Sequence, residues 1–441
     1  VNRQPRFTGI AGSLRRQLVH GSVASIGMKM ASLGLNLAVT VVLARLLAPA
    51  GYGAYALVLA IVSLLAVPIQ LGLPTLVLRE VTVCVAAGDW NLMRTLLRWA
   101  QRIILTMSAA IGTAAVIIVW QSGGGGSEFL PTLLIAVPLL AIGALTAVRQ
   151  SVLMGLKRVV LAQVPELLLL PVVYLTCLAA YWRFMPHPLP PQWAMAAYVA
   201  CYGAAFILGA VLLARTLPSG YRSARASAPP KAWARSILPL SLISGFSVIS
   251  SQLVLPILGF FAGDASVGLY RVAASGAALT TVVGATIGSL VSPYIATLYG
   301  RREFGKLQIL ARYSAWACLI PALIALVLFS AAGDVLLRYA FGDQFRAAAG
   351  ALVVLTIGQT INCATGIVHS LLTMTGHERD TLRGAILGTG VNVVLALLLA
   401  PRFGLMGVAI ATCVAVAAEN VLLYATVQAR LHIGSSVFSF G

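Results

Sequence analysis

Apolar residues run in twelve long blocks, roughly 21 to 44, 54 to 78, 103 to 120, 129 to 150, 159 to 182, 193 to 214, 237 to 260, 268 to 293, 309 to 331, 347 to 373, 384 to 400 and 405 to 428. Most have the length at which a helix crosses the hydrocarbon core of a bilayer, about 17 to 25 residues. A spanning helix satisfies its own backbone polar groups, so the pattern predicts an all-α polytopic membrane protein of about 12 transmembrane helices.

Composition strengthens that expectation. At 60% hydrophobic, 9% charged and a mean hydropathy of +0.95, the 441-residue chain has too little polar surface to cover a water-soluble globule. The net charge of +19 would suggest nucleic acid in a soluble protein. Here 23 of the Lys and Arg residues fall on the N-terminal side of the alternating loops, against five on the other side (Arg45, Arg183, Arg338, Arg346, Arg402), with Lys29 and Arg271 inside blocks. This bias predicts both termini on the cytoplasmic side of a bacterial inner membrane and accounts for the charge without nucleic acid. The first block follows Arg3, Arg6, Arg15 and Arg16 and is too long for a signal-peptide core, so it is expected to stay in the mature protein. The six cysteines lack metal-type spacing, and no disulfide, metal or other cofactor is expected.

The most polar stretch separates six blocks from six. It defines an N-terminal lobe (1–217), a cytoplasmic linker (218–235) and a C-terminal lobe (236–441). The halves echo each other: Gly53-Ala54-Tyr55 with Gly268-Leu269-Tyr270, Asp89-Trp90 with Glu303-Phe304, and Gly155-Leu156-Lys157-Arg158 with Gly376-His377-Glu378-Arg379. An even number of spans per half makes this a parallel repeat about an axis along the membrane normal, the usual basis of alternating access at a seam between lobes.

The polar residues inside the blocks indicate what lines that seam. In the first block Ser22, Ser25, Lys29, Ser32, Asn36 and Thr40 recur every three or four residues and share one helix face. A cation near a bilayer centre costs about 2.5–3.5 kcal/mol, so Lys29 is expected to face a cavity; snorkelling to the surface is the alternative. In the eighth block Arg271 shares a face with Ser275, Ala278, Thr281, Ala285 and Ser289, while Gly284 and Gly288 form a step that also suits close helix packing. If both cations face the seam they form an anion site. Glu166, one turn after Gln163, and Glu419, beside Asn420, are candidates for coupling to a proton or sodium gradient, or neutral hydrogen-bonded structural acids. Ser241, Ser244 and Ser251 in the seventh block and Thr356, Gln359, Cys363, Ser370 and Thr373 in the tenth would suit sugars or interhelical hydrogen bonds.

Enzyme signatures are weak. Gly300 to Leu307 approximates a phosphate-binding loop, but Leu307 replaces the magnesium-binding hydroxyl and no strand is expected before it. His369 reads as a satisfied core residue, and short outer loops leave little room for an extracytoplasmic catalytic domain.

The run Leu43-Ala44-Arg45-Leu46-Leu47-Ala48-Pro49-Ala50-Gly51-Tyr52-Gly53-Ala54-Tyr55, followed by Leu78-Arg79-Glu80-Val81, resembles the opening of the polysaccharide transport family. These are the Wzx-type flippases of the multidrug/oligosaccharidyl-lipid/polysaccharide (MOP) superfamily. Ala48 stands where that family often has Gly. The resemblance implies two six-helix lobes related by pseudo-twofold symmetry around a V-shaped central cavity. It further implies movement of an undecaprenyl-pyrophosphate-linked oligosaccharide to the periplasmic leaflet, with membrane lipids and other polysaccharide-assembly proteins as partners. On this reading Lys29 and Arg271 contact the pyrophosphate, and Ser22, Ser25, Ser32, Asn36, Thr40, Ser275 and Thr281 line the cavity. A drug or cation antiporter of the same superfamily and a membrane-embedded polysaccharide polymerase or ligase are the alternatives. The first would be expected to show acidic cavity residues, and the second larger outer loops.

Overall fold

In a computed structural model the chain is almost entirely helical, with no strand among the described residues, which are 8–70, 72–121, 129–184, 188–227, 230, 233, 246 and 248–431. Side chains are described from residue 27 onward within these ranges, except at 289 and 293. The expectations for Ser22, Ser25, Ser241, Ser244 and Ser289 therefore fall outside the described side chains.

Among the described residues nine helical stretches are long and apolar enough to cross a membrane. Three of them, with 44, 45 and 54 residues in the apolar segment, are about 65–80 Å long, more than twice the roughly 30 Å hydrocarbon core. Each of these three is broken by one non-helical residue: Ala48 in Thr8–Gln70, Gly263 in Val254–Ala278 and Gly404 in Glu378–Leu431. Each therefore supplies two spans, which brings the described spans to twelve. The protein is a multi-pass membrane protein with the two-lobed helical fold expected from its sequence.

The corners make the internal repeat visible in the backbone. Ala48 (φ 57°, ψ 173°) and Gly263 (φ 74°, ψ 172°) occupy equivalent positions between spans 1 and 2 and between spans 7 and 8, in nearly the same conformation. Gly88 and Arg302, both with positive φ, precede the second echo, and the amides of Asp89 and Glu303 donate to the carbonyls of Cys84 and Leu298 in the same five-residue reach. The third echo holds in a different register. Arg158 donates to Leu153 and His377 to Leu372, with Lys157 (φ 61°) and Gly376 (φ 82°) as the left-handed residues, so Gly376 corresponds to Lys157 and not to Gly155. The composition of the two turns matches at one offset and their backbone at another.

Ala48 holds, at a cost, a conformation that glycine adopts freely. Its φ and ψ lie in a region essentially reserved for glycine, which costs an alanine about 1–3 kcal/mol. Ala48→Gly is expected to stabilise the protein by about 1 kcal/mol, after the extra entropy of the unfolded glycine is subtracted. A thermal-unfolding series in detergent would show this as a raised midpoint. An unchanged or lowered midpoint would mean the corner carries no strain.

The linker after span 6 is fastened to the base of span 3. Arg94 donates to the carbonyls of Arg222 (3.2 Å) and Ala224 (2.6 Å), the Arg225 amide donates to Asn91 Oδ1 (2.7 Å), and Trp233 packs on Trp99 with ring centroids 5.5 Å apart.

A candidate substrate seam between the lobes

Spans 2 and 8 touch where the two Gly-x-Tyr echoes meet. A Cβ on Gly53 would stand 1.7 Å from the Asp264 carbonyl oxygen and 2.9 Å from the Gly268 nitrogen. A Cβ on Gly268 would stand 2.1 Å from the Pro49 carbonyl oxygen and 3.1 Å from the Gly53 nitrogen. Pro49 and Asp264 are themselves equivalent positions, so the contact is reciprocal and marks the pseudo-twofold axis. Close backbone approach through small residues is a common means of helix association in lipid. On the same face, remote from the basic loops, Arg45 of the first lobe donates from Nε to the Ala340 carbonyl (2.7 Å) and from Nη2 to the Tyr339 carbonyl, near the C-terminus of Phe304–Phe341 in the second lobe. A cation there satisfies carbonyls that lack helical partners and complements the helix dipole.

Arg271 lies one turn below the glycine contact. It is half-buried and lies beside the hydroxyl of the buried Tyr52, with Thr40 close to the same hydroxyl. The first-lobe polar stripe is partly satisfied along its own helix: Asn36 Nδ2 donates to the Ser32 carbonyl (2.7 Å) and hydroxyl (3.1 Å), and Thr40 donates to the Asn36 carbonyl (2.9 Å). Ser275 and Thr281 likewise donate back to the carbonyls of Arg271 and Ala278, both at 2.8 Å.

Lys29 is exposed, with no acidic partner among the described residues. Its neighbour Met30 touches span 8, with Sδ 3.7 Å from Thr286 Oγ1. Thr286 is fifteen residues, or about 20 Å of helix, from Arg271. The structure places both cations along spans 1 and 8 but at different depths, and does not bring them together. Tyr52 was not legible as Arg271's partner; its only signal was its place inside the Gly51-Tyr52-Gly53 run.

Both spanning carboxylates have partners within their own lobes. Glu166 sits in a π-helical turn, Pro165–Leu169, and accepts from Arg149 and from Gln150 Nε2 (3.0 Å). Arg149, counted from sequence among the basic loop residues, is a buried residue of Pro138–Gly155, only 4% exposed. Its guanidinium lies so close to span 6 that a Cβ on Gly209 would overlap Nη1 at 0.8 Å. Glu419 Oε1 is 3.5 Å from His369 Nε2, and the adjacent Asn420 accepts from Thr365 at 3.1 Å. These two bonds bracket a break in span 10, where Gly366 (φ 79°) separates Ala349–Thr365 from Val368–Met374. His369, read from sequence as a core residue, is 48% exposed along its side chain.

Losing one partner of a buried ion pair leaves an uncompensated charge, at about 3–5 kcal/mol. Arg149→Leu or Glu166→Gln alone is expected to lower folded yield and the thermal midpoint strongly, and the double replacement to recover most of the loss. A double-mutant cycle on the melting temperature measures the coupling, and additive losses would show that the pair contributes nothing.

The family described as polysaccharide biosynthesis protein matches residues 18–299, well over half of the sequence. The chain belongs to that family. A curated relative, the probable low-salt glycan biosynthesis flippase Agl15 of Haloferax volcanii, is 24% identical over 196 residues, covering 43% of this chain and 41% of its own length. The chain spans less than half the length of the curated relatives it matches. Among solved structures, an inward-facing multidrug resistance MATE family transporter of the MOP superfamily superposes with a TM-score of 0.74 at 14% identity, covering 93% of this chain and 98% of its own. The lipid II flippase MurJ in its inward closed conformation gives 0.70 at 14% identity, covering 93% of this chain and 87% of its own. These likenesses show that this family member has the fold of MOP superfamily transporters.

Proposed function

We propose that this polysaccharide biosynthesis family member is a flippase. It would carry an undecaprenyl-pyrophosphate-linked oligosaccharide repeat unit, of O-antigen, capsule or exopolysaccharide type, from the cytoplasmic to the periplasmic leaflet of the inner membrane by alternating access. The observation that carries the reading is the distribution of charge. Lys29 and Arg271 lie along the helices that meet at the seam without acidic partners among the described residues, whereas Glu166 and Glu419 are paired within their lobes. A seam with unneutralised cations and hydroxyls suits an anionic pyrophosphate and its glycan and disfavours a cationic drug. The family match and the flippase relative support the same substrate class.

In this reading the basic loops lie in the cytoplasm and the pyrophosphate meets the two cations in succession, Lys29 first and Arg271 next to the closure. Glu166 is held by Arg149 and Gln150, so ion coupling falls to Glu419, whose partner His369 can itself gain or lose a proton. Polysaccharide-assembly enzymes would receive the flipped lipid.

The test is reconstitution into vesicles with a fluorescent polyprenyl-pyrophosphate-linked saccharide. Protein-dependent translocation that accelerates under a proton or sodium gradient, with the acceleration lost in Glu419→Gln, is expected. No translocation by folded protein under any gradient would overturn the flippase reading, and an unaltered response in Glu419→Gln would remove that acid from the coupling.

A further inference from the structure

A polar cleft of about 370 Å³ opens within the second lobe, between spans 8, 9 and 10. Thr281 and Ser292 line it from span 8, and Asn362, His369 and Ser370 line it from either side of the break in span 10. Gly284 and Gly288 create the space. A Cβ added at either would meet only a side chain, Cys318 Sγ at 3.5 Å from the first and Ser370 Oγ at 3.3 Å from the second, so the glycine step opens a cavity here and does not bring two backbones together.

The lining selects among ligands. Among the described residues no Lys, Arg, Asp or Glu lines the cleft, so an ion would find no permanent countercharge on its walls. An apolar ligand would leave hydroxyl and amide groups without partners. Thr281 and Ser292 already donate to the carbonyls of Ala278 (2.8 Å) and Gly288 (2.6 Å), which fixes their rotamers and keeps lone pairs free to accept. Such fixed acceptors, together with an amide and an imidazole, match the mixed donors and acceptors of a polyhydroxyl compound. The volume falls in the usual small-molecule range of about 300–1,000 Å³.

Depth links the cleft to the seam. Thr286, which touches Met30, lies on span 8 between the lining residues Thr281 and Ser292, so Lys29 stands at the level of the cleft in the opposite lobe. We propose that this cleft is a glycan subsite, taking the lipid-proximal sugar of the substrate while the adjoining phosphate lies at Lys29. The proposal rests on the chain being a lipid-linked glycan transporter.

The experiment measures binding to the purified full-length protein in nanodiscs, with two probes: a polyprenyl pyrophosphate, and the same lipid bearing one N-acetylhexosamine. The sugar-bearing lipid is expected to bind about tenfold more tightly, the gain of one or two well-placed hydrogen bonds. Gly288→Leu, which fills the cleft, and Asn362→Leu, which removes its amide at similar volume, should each erase that advantage and leave the affinity for the bare lipid unchanged. If Gly288→Leu does not fold, Asn362→Leu alone decides. A preserved advantage in the folded variants would overturn the subsite. Equal binding of both probes by the parent protein would also overturn it, while leaving the pyrophosphate transporter reading standing. Binding of neither probe would sink both.

Discussion

Gly53→Ala should abolish closure of the seam at the face opposite the basic loops, and transport with it. The added methyl would lie 1.7 Å from a main-chain carbonyl oxygen, which no side-chain rotation can relieve. Overpacking with flexible neighbours costs about 1–3 kcal/mol, and a rigid backbone neighbour puts this site at or above the upper end. At about 3 kcal/mol the ratio of closed to open forms falls by roughly a hundredfold. Arg45 cannot compensate, because its bonds to the second lobe depend on the same approach. In a protein without native cysteines, a Cys at Thr40 should react slowly with an impermeant thiol reagent applied from that face, and rapidly once Gly53→Ala is added. Gly143→Ala is the control, since a Cβ there meets nothing within 4 Å. Equal labelling rates in the Gly53→Ala and parent proteins would mean that the glycine contact is not the closure.

Reversing both seam cations should be nearly as severe. A hydrogen bond to a charged group contributes about 1.5–3 kcal/mol, so losing two such contacts to a pyrophosphate lowers transport by roughly a hundredfold or more. The Lys29→Glu, Arg271→Glu double variant is expected to export almost no glycan while remaining in the membrane at normal abundance, and Lys29→Arg to retain most activity. Because the cations are separated in depth, the single variants should differ. Lys29→Glu should impair substrate capture from the basic face, and Arg271→Glu should permit capture but block passage to the closed end. Substrate binding measured alongside flipping distinguishes the two. Normal transport by the well-expressed double variant would reduce both residues to packing or snorkelling roles.

How much of this was readable in advance follows from the range of each interaction. Span count and the two-lobe plan depend on apolar runs and on the polar stretch between them, which are local in sequence, and both were legible. The corner at Ala48 was visible only as a departure from a glycine, and its positive φ gives that departure a physical meaning. Arg149 was misplaced because a cation beside the end of an apolar block looks like a loop residue until its buried partner, seventeen positions away across a turn, is seen. The third echo was set two positions off because Gly155 resembles Gly376 in type, whereas the left-handed turn requires its conformation at Lys157. The pairing of Glu419 with His369 and the Arg45 bonds to the second lobe join residues fifty or more positions apart. No periodicity within a block encodes such pairs.

The break at Gly366 gives the two halves of the duplication different mechanics. In the first lobe the corresponding span, Phe129–Gly155, keeps helical dihedrals through Val137 and behaves as a stiff lever. In the second, span 10 is jointed at Gly366, and two consecutive residues of span 12 reach the two sides of the joint, Asn420 at Thr365 and Glu419 at His369. Equal load on the two arms therefore produces unequal deflection. Releasing either contact is expected to loosen the joint between Ala349–Thr365 and Val368–Met374, so two arms of one duplicated frame differ in compliance.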